Sequence, residues 1–503
     1  MAHLGSWLRL TRAGFTLLRY DALIPKELSP LLPPIPRFFA GLLRGLFARR
    51  SRLRVGERYA LAFERLGPAF IKLGQVLSTR GDIFGERFIA DLTHLKDSLP
   101  PFAKTEAEAA ILDAFGKPVA AIFADFGEVI GSASIAQAHR AALLDGREVA
   151  VKILRPGIEL TVARDVDMLL LGARLVAALV PASRRLEPEA FVATVAKSLQ
   201  LELDLRLEAS ACDEIGKIIN DEPWMKAPAV VWSHVSRRVI VTEWADGVPL
   251  SRPEALDLPG LDRKALADNL IRAFLSQSLD HGVFHADLHE GNLFVAAPAR
   301  ITAIDFGIIG RLRPKERRYL AEMLWGFLRR DYKRVAEVHF EAGYVPAHQN
   351  VEAFAQALRA VGEPVLGRQA SDVSMGRLLT QLFEITAQFD MHLRPELVLL
   401  QKTMVSVEGV ARRIYPEHNL WEAARPVVKA WISRELSPVA EAKKLLETLI
   451  RRLNDDPSER IRDALTARDS LRADLRRSQG LALVAVIVSA LSLGVMIWLA
   501  LSK

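Results

Sequence analysis

An α+β, two-lobed architecture is what this 503-residue sequence predicts, and three observations predict it. Strand-type alternation runs from about Phe123 to Lys152, returns at Val239–Trp244, and stops after Gly310, where amphipathic helical spacing takes over. Asp287 is followed five positions later by Asn292 and thirteen positions after that by Asp305-Phe306-Gly307, with two short apolar strands and a Pro-containing turn between them. Well upstream of both, a hairpin ends its second strand on Val149-Ala150-Val151-Lys152.

The chemistry that needs this spacing is phosphoryl transfer. One carboxylate, Asp287, must stand near an attacking hydroxyl, while an amide oxygen (Asn292) and a second carboxylate (Asp305) hold Mg²⁺ against phosphates. Adjacent strands bring those oxygens to one edge. The order D-x-x-x-x-N, strand, D-F-G is that of a protein-kinase-like catalytic loop and metal loop, and V-A-V-K is where such a fold carries its phosphate-pairing lysine. Acidic residues at strand ends are otherwise ordinary turn formers, and a strand lysine alone is an ordinary edge residue. Their order along the chain favours the chemical reading.

Composition sets the outer bounds. The length suffices for a large core and several domains. A net charge of +7 and a pI near 9.5 suit an anionic partner. No aromatic-interleaved basic patch or nucleic-acid motif is present, so a membrane surface is expected and nucleic acid is not. The single cysteine, Cys212, excludes an intrachain disulfide and a cysteine-based metal cluster, and reads as a buried thiol in a reducing compartment.

Taken in order, residues 1–56 form an amphipathic, Arg-bearing segment with a Pro-rich break at Leu31–Pro36. It is expected to lie on a membrane surface rather than to be cleaved as a presequence. Residues 57–120 are a helical extension: Leu61–Arg80 is a helix broken at Gly67-Pro68, and Lys72 and Gln75 share one of its faces. A second helix covers Lys104–Phe115. Residues 121–250 hold the strands of the N-lobe with inserted helices. The loop before the lysine hairpin is Gly131-Ser132-Ala133-Ser134, poorer in glycine than G-x-G-x-x-G but able to offer N–H groups and hydroxyls to phosphate oxygens. One long helix is expected from Glu187-Pro188 to about Ile219, bearing Glu202, Asp204 and Glu208 where a kinase keeps the carboxylate that orients its lysine. In a continuous helix Asp204 and Glu208 share a face, and Glu202 points elsewhere. The strand Val239–Trp244 feeds a hinge whose backbone, at Glu243 and Ala245, would meet adenine.

Residues 251–453 form a helical C-lobe with the catalytic and metal loops. His339, His348, His392 and His418 lack metal-ligand spacing and read as surface or core residues. Residues 454–480 are a charged linker ending in an Arg cluster, and 481–501 run 21 residues without a charge. At 1.5 Å per residue that is roughly 31 Å, the thickness of a hydrocarbon core. A single C-terminal anchor is therefore expected, with the arginines keeping the kinase-like body cytoplasmic.

These motifs together resemble the UbiB (ABC1/ADCK) group of atypical kinases, from about residue 60 onward. Lys72-Leu73-Gly74-Gln75 is similar to the family's K-x-G-Q, Ala133-Ser134-Ile135-Ala136-Gln137 to its Ala-rich loop, and Glu202-Leu203-Asp204 to its E-x-D. The resemblance implies ATP or ADP with Mg²⁺ as cofactors, Lys152 on the α/β-phosphates with Glu202 as its helix partner, Asp287 as the catalytic-loop aspartate, and Asn292 and Asp305 as metal ligands. It also implies that the K-x-G-Q segment folds over the active site, with Asp204 and Glu208 as partners for Lys72. The activity implied is that of an ATPase at the bacterial inner membrane supporting ubiquinone biosynthesis, with lipids, quinone precursors and the pathway's enzymes as partners. The departure is at Val129, Gly131 and Ser132, where the family loop usually reads P-x-A-A. A small-molecule kinase and a nucleotide-gated lipid scaffold without turnover are the competing readings. The loop His285-Ala286-Asp287-Leu288-His289 favours the first, and the second separates from an ATPase only by phosphate release.

Overall fold

The computed structural model describes residues 2–23, 34–48, 51–77, 99–179, 187–366 and 395–436, with a few isolated positions between them. The chain divides into two compact units, Met1–Lys429 and Ala430–Lys503, and every element of the site belongs to the first. Among the described residues no helix is long and apolar enough to cross a membrane; the expected anchor at 481–501 lies outside them.

The N-lobe is an antiparallel sheet in the order β1 (Phe123–Ser132), β2 (Ala136–Leu143), β3 (Glu148–Leu154), β4 (Val239–Glu243). Period-two alternation on β3 buries Val149, Val151 and Ile153 on one face and sends Lys152 to the other. The buried face packs on α5 (Lys104–Phe115) through Ala107, Ala110 and Ile111. That helix stops where Gly116, at φ 66°, returns its N–H to Leu112.

Before this lobe come α1 (Ala2–Arg19), α2 (Pro34–Phe47), α3 (Val55–Leu66) and α4 (Pro68–Leu77). The expected break at Gly67-Pro68 is present. Pro68 opens α4 where a missing N–H costs nothing, and Gly67 takes φ 104°. Asp21, the first acid of the chain, is buried between Arg44 and Arg58 and ties α1 to α2 and α3. The start of the chain is thus only partly a surface segment. Ala13 is buried, and Leu10 and Leu17 pack into a core shared with α6 (Ile158–Leu179), while Trp7, Leu8 and Phe15 stay exposed.

Between β3 and β4 the expected long helix is two: α7 (Pro188–Glu202) and α8 (Leu205–Ile219). Asp204 is the reason. Its backbone is extended and its carboxylate caps α8 by accepting from the Arg206 N–H at 3.2 Å. The C-lobe continues through β5 (Val248–Pro249), α9 (Arg263–Ser276), β6 (Val283–His285), β7 (Leu293–Ala296), β8 (Arg300–Ala303) and β9 (Ile309–Arg311). It ends in α10 (Pro314–Arg329), α11 (Tyr332–Glu341), α12 (Val351–Leu366), α13 (Pro395–Ile414) and α14 (Leu420–Glu435). Two small ribbons, β5-β7-β8 and β6-β9, set the catalytic and metal loops side by side. The turn between β7 and β8 contains a cis Ala297–Pro298 bond.

Candidate nucleotide site

Lys152 leaves β3 on the cleft side and donates to both oxygens of Glu208, at 2.7 and 2.9 Å, and to Asp305 Oδ2 at 3.1 Å. Glu208 stands in the first turn of α8, and Asp305 follows β8 at φ 58°, a left-handed backbone that few non-glycine residues adopt. The Asp305 carboxylate also accepts from the Gly307 N–H at 3.3 Å. Burial works against all three charges, and the ionic contacts decide the outcome. The Lys152 ammonium stays protonated, because the Asp305 and Glu208 charges outweigh its desolvation. Asp305 is held below the usual carboxylate range despite burial, because Lys152 lies against it. Glu208 is pushed up to about 7, first by burial and then by the neighbouring Asp305 and Glu202 charges, which together exceed Lys152's pull.

This corrects two expectations, the partner of Lys152 and the partners of Lys72. The partner of Lys152 is Glu208, not Glu202; Glu202 instead forms an ion pair with Lys72 of α4. Asp204 pairs with neither lysine. Its oxygens take the Arg206 guanidinium at 2.8 and 2.6 Å, and that contact holds its pKa down. The helix break after Glu202 sends the two glutamates to two different lysines. Gln75, on the same helix as Lys72, is half-buried.

The catalytic loop is fixed from beneath by His285. This residue is buried, its Nε2 lies 3.2 Å from the Ile304 carbonyl, and its Nδ1 accepts from the Asp287 N–H at 3.1 Å. One proton, on Nε2, satisfies both contacts, and burial keeps the ring neutral. Phe306 of the D-F-G packs on the same ring at 4.9 Å. Asn292 donates from its amide nitrogen to the Asp287 carbonyl at 3.1 Å, which leaves its amide oxygen as a hard donor. With the Asp305 carboxylate it gives two oxygen ligands, a set that suits Mg²⁺ once phosphate oxygens complete it. Among the described residues no group of three or more His, Cys, Asp or Glu could hold a metal by itself.

The loop Gly131-Ser132-Ala133-Ser134 closes as a tight turn, with the Ala133 N–H on the Ala136 carbonyl at 2.8 Å. Gly131 is not at positive φ, and a Cβ there would meet nothing within 4 Å. What holds the loop is Arg155. Its guanidinium donates to Ser132 Oγ at 2.8 Å, to the Ala133 carbonyl at 2.9 Å, and to the Leu99 and Pro100 carbonyls at 3.2 and 2.9 Å. A second buried chain runs from the Gly127 carbonyl through His139 and Gln137 to the Phe102 backbone. Neither is visible in the sequence, because Arg155 reaches partners 22 to 56 residues away and the second chain ends on one 35 residues from Gln137. At the expected hinge, the Glu243 and Trp244 amides serve the Ala229 and Glu148 carbonyls. The Ala245 amide meets no carbonyl among the described residues.

From the far side, α13 braces the catalytic loop. Thr403 Oγ1 lies 3.0 Å from the Ala286 carbonyl, Ser406 Oγ donates to Leu288 at 3.3 Å, and Arg413 pairs with Glu290. Cys212 is a buried thiol, pushed up to about 12 by desolvation, and donates to the Pro228 carbonyl at 3.3 Å. Of the four scattered histidines, His418 is buried against Asp268, His339 bonds the Val335 carbonyl, and His348 is exposed; His392 lies outside the described residues.

Comparison with known proteins shows the family. Residues 94–339 match the ABC1 atypical kinase-like domain, and 358–419 match the UbiB helical domain. A probable protein kinase UbiB of Marinobacter nauticus is 37% identical over 466 residues, covering 91% of this chain and 85% of that one. Its counterpart in Azotobacter vinelandii is 39% identical over 441 residues, covering 86% and 82%. Among solved structures, Rv3197 of Mycobacterium tuberculosis in complex with erythromycin superposes with a TM-score of 0.52 at 23% identity. That match covers 78% of this chain and 98% of the other. It bears on the fold alone.

Proposed function

The chain belongs to the UbiB family of ABC1 atypical kinase-like proteins, and from that premise we propose that it is a membrane-associated, Mg²⁺-dependent ATPase supporting ubiquinone biosynthesis. The observation that carries the proposal is the pairing of Lys152 with Glu208 and Asp305 beside a second pair, Lys72–Glu202. The first arrangement is a phosphate-gripping lysine already oriented for nucleotide. The second anchors the N-terminal extension six residues along the same stretch of chain, beside the nucleotide cleft where a protein kinase would receive its substrate. Water is then the acceptor that fits.

In this reading Lys152 takes the α/β-phosphates, Glu208 orients it, and Ser132, Ser134 and the N–H groups of the 131–134 loop close over the phosphates, with the Glu243–Ala245 backbone on adenine. Asn292 and Asp305 would hold Mg²⁺, which supplies neutralisation of the phosphate oxygens. Asp287, fixed through His285 and Asn292, would orient the attacking water and accept its proton. Membrane association is supported by the exposed Trp7, Leu8, Phe15, Leu42, Leu46 and Phe47 on helices that also carry Arg12 and Arg19. The uncharged 481–501 segment adds to that support, and in this reading the work is done at the inner membrane with the cleft cytoplasmic. Hydrolysis would then control the access of quinone precursors, or of the enzymes that modify them.

The test is Mg²⁺-dependent phosphate release from ATP, with and without anionic vesicles carrying a phenolic quinone-precursor analogue. Release that vesicles stimulate and that Asp305→Asn abolishes supports the proposal. Stoichiometric transfer to the phenol would make the protein a small-molecule kinase. Nucleotide binding without release under any condition would leave a lipid-binding scaffold.

A further inference from the structure

Transfer of a terminal phosphoryl group needs cations around its oxygens. The loop that carries Asp287 has none of its own: Asp287-Leu288-His289-Glu290-Gly291-Asn292 contains no Lys or Arg. Lys152 lies on the other side, against Glu208 and Asp305. The cation missing on the Asp287 side stands on α13, more than a hundred residues downstream.

On α13 the spacing 402, 406, 409, 413 follows the helical repeat, so Lys402, Ser406, Gly409 and Arg413 form one stripe. Two members of the stripe touch the catalytic loop in antiparallel order: Arg413 at Glu290 and Ser406 at Leu288. One turn nearer the helix start, Thr403 reaches the Ala286 carbonyl. Lys402, one residue before Thr403, stands at the Ala286 end of this contact, within electrostatic reach of the neighbouring Asp287. Lys402 is solvent-exposed, although neighbouring protein partly desolvates its ammonium. Burial holds its ammonium below the usual lysine range, with Asp287 pulling against that and Lys72 adding to it. Among the described residues it makes no ion pair, so it senses Asp287 from beyond salt-bridge distance.

We infer that Lys402 is the cation that receives the terminal phosphoryl group of the nucleotide, across from Lys152 and beside Asp287. The inference rests on the nucleotide reading above and assigns that site one more binding residue, supplied by the helical domain. In hydrolysis a water oxygen bonds to the γ-phosphorus and the bond from phosphorus to the β,γ-bridging oxygen breaks. ADP leaves with that electron pair, and the water's proton passes to Asp287. The phosphoryl oxygens, crowded with charge during this exchange, lie against the Lys402 ammonium. ADP, which lacks the group, does not reach it.

The distinguishing measurement is the ratio of ATP to ADP affinity, read by competition with a fluorescent nucleotide on the full-length protein in detergent with Mg²⁺. Lys402→Met should weaken ATP about tenfold, leave ADP within about twofold of wild type, and lower phosphate release about a hundredfold. Lys402→Arg should recover most of the ATP preference, and Lys402→Gln should behave as the methionine variant does. An unchanged ATP:ADP ratio in a folded Lys402→Met protein would overturn the assignment. Equal weakening of both nucleotides would do the same, since it marks a merely structural residue. If wild type binds neither nucleotide, the proposed function falls and this inference with it. If wild type binds ATP without hydrolysing it, the affinity ratio still decides the role of Lys402.

Discussion

Two lysine–glutamate pairs lie side by side in this molecule, and they differ in what surrounds them. Lys152 and Glu208 face the cleft, share Asp305, and leave Glu208 poised near neutrality. Lys72 of the extension and Glu202 at the end of α7 pair between packed helices, with the lysine side chain only 9% exposed. A pair whose lysine has a second carboxylate to turn to can rearrange when phosphate arrives. A pair closed in by packing keeps its geometry. The difference assigns ligand handling to the first and attachment of the extension to the second, although both glutamates come from one seven-residue stretch.

Breaking each pair separately tests that division. Lys152→Met should lower phosphate release at least a hundredfold while costing less in urea than Lys72→Met, because Glu208 already holds a proton to near neutral pH and Asp305 is part-exposed. An equally large loss of stability would erase the distinction. Lys72→Met should do the reverse in kind, costing about 3 kcal/mol in urea unfolding by removing the buried ammonium that pairs with Glu202. Combining it with Glu202→Gln should recover most of that loss, and a double variant as unstable as the single one would show that the pair is not the attachment.

A pH comparison follows from Glu208. The unfolded chain releases this proton near 4.5, and the folded chain holds it to about 7. Between those values the folded state binds more protons, so stability contributed through Glu208 falls as pH rises, and is constant above and below the window. Wild type should therefore lose on the order of 2 kcal/mol relative to Glu208→Gln between pH 4.5 and pH 7.5, measured by chemical unfolding without nucleotide. Parallel stability curves for the two proteins would place the proton elsewhere. The smallest effect belongs to Gly131→Ala, expected within about 0.5 kcal/mol of wild type, because no positive φ and no neighbour opposes the methyl group. A destabilisation above 2 kcal/mol would mean the loop needs its glycine.

Much of the site could be read in the sequence where function is fixed by local spacing. Asp287, Asn292 and Asp305 lie at the ends of short strands whose alternation is plain, and Lys152 ends a hairpin with an Asp145-Gly146 turn. The pairing of the lysines was not legible. It depends on a helix break at Leu203-Asp204 that neither glycine nor proline marks, only an aspartate that could equally have been a solvated helix residue. Arg155, Gln137, His139 and the α13 stripe were hidden for a different reason: each acts across a distance along the chain that no local pattern encodes. The extension was legible as helices but not as packed helices, since burial of Ala13 and Asp21 is decided by partners far along the chain.

Arg155 gives the phosphate loop an unusual dependence. In a glycine-rich loop, suppleness is a property of the loop's own backbone. Here the loop hangs from one guanidinium that also grasps the carbonyls of residues 99 and 100. In the proposed nucleotide reading, the dwell time of the ligand would be governed from outside the loop, much as a drawbridge is governed by its chain. Drift at positions 99–102 can retune how long the cleft stays shut without altering any residue that touches phosphate.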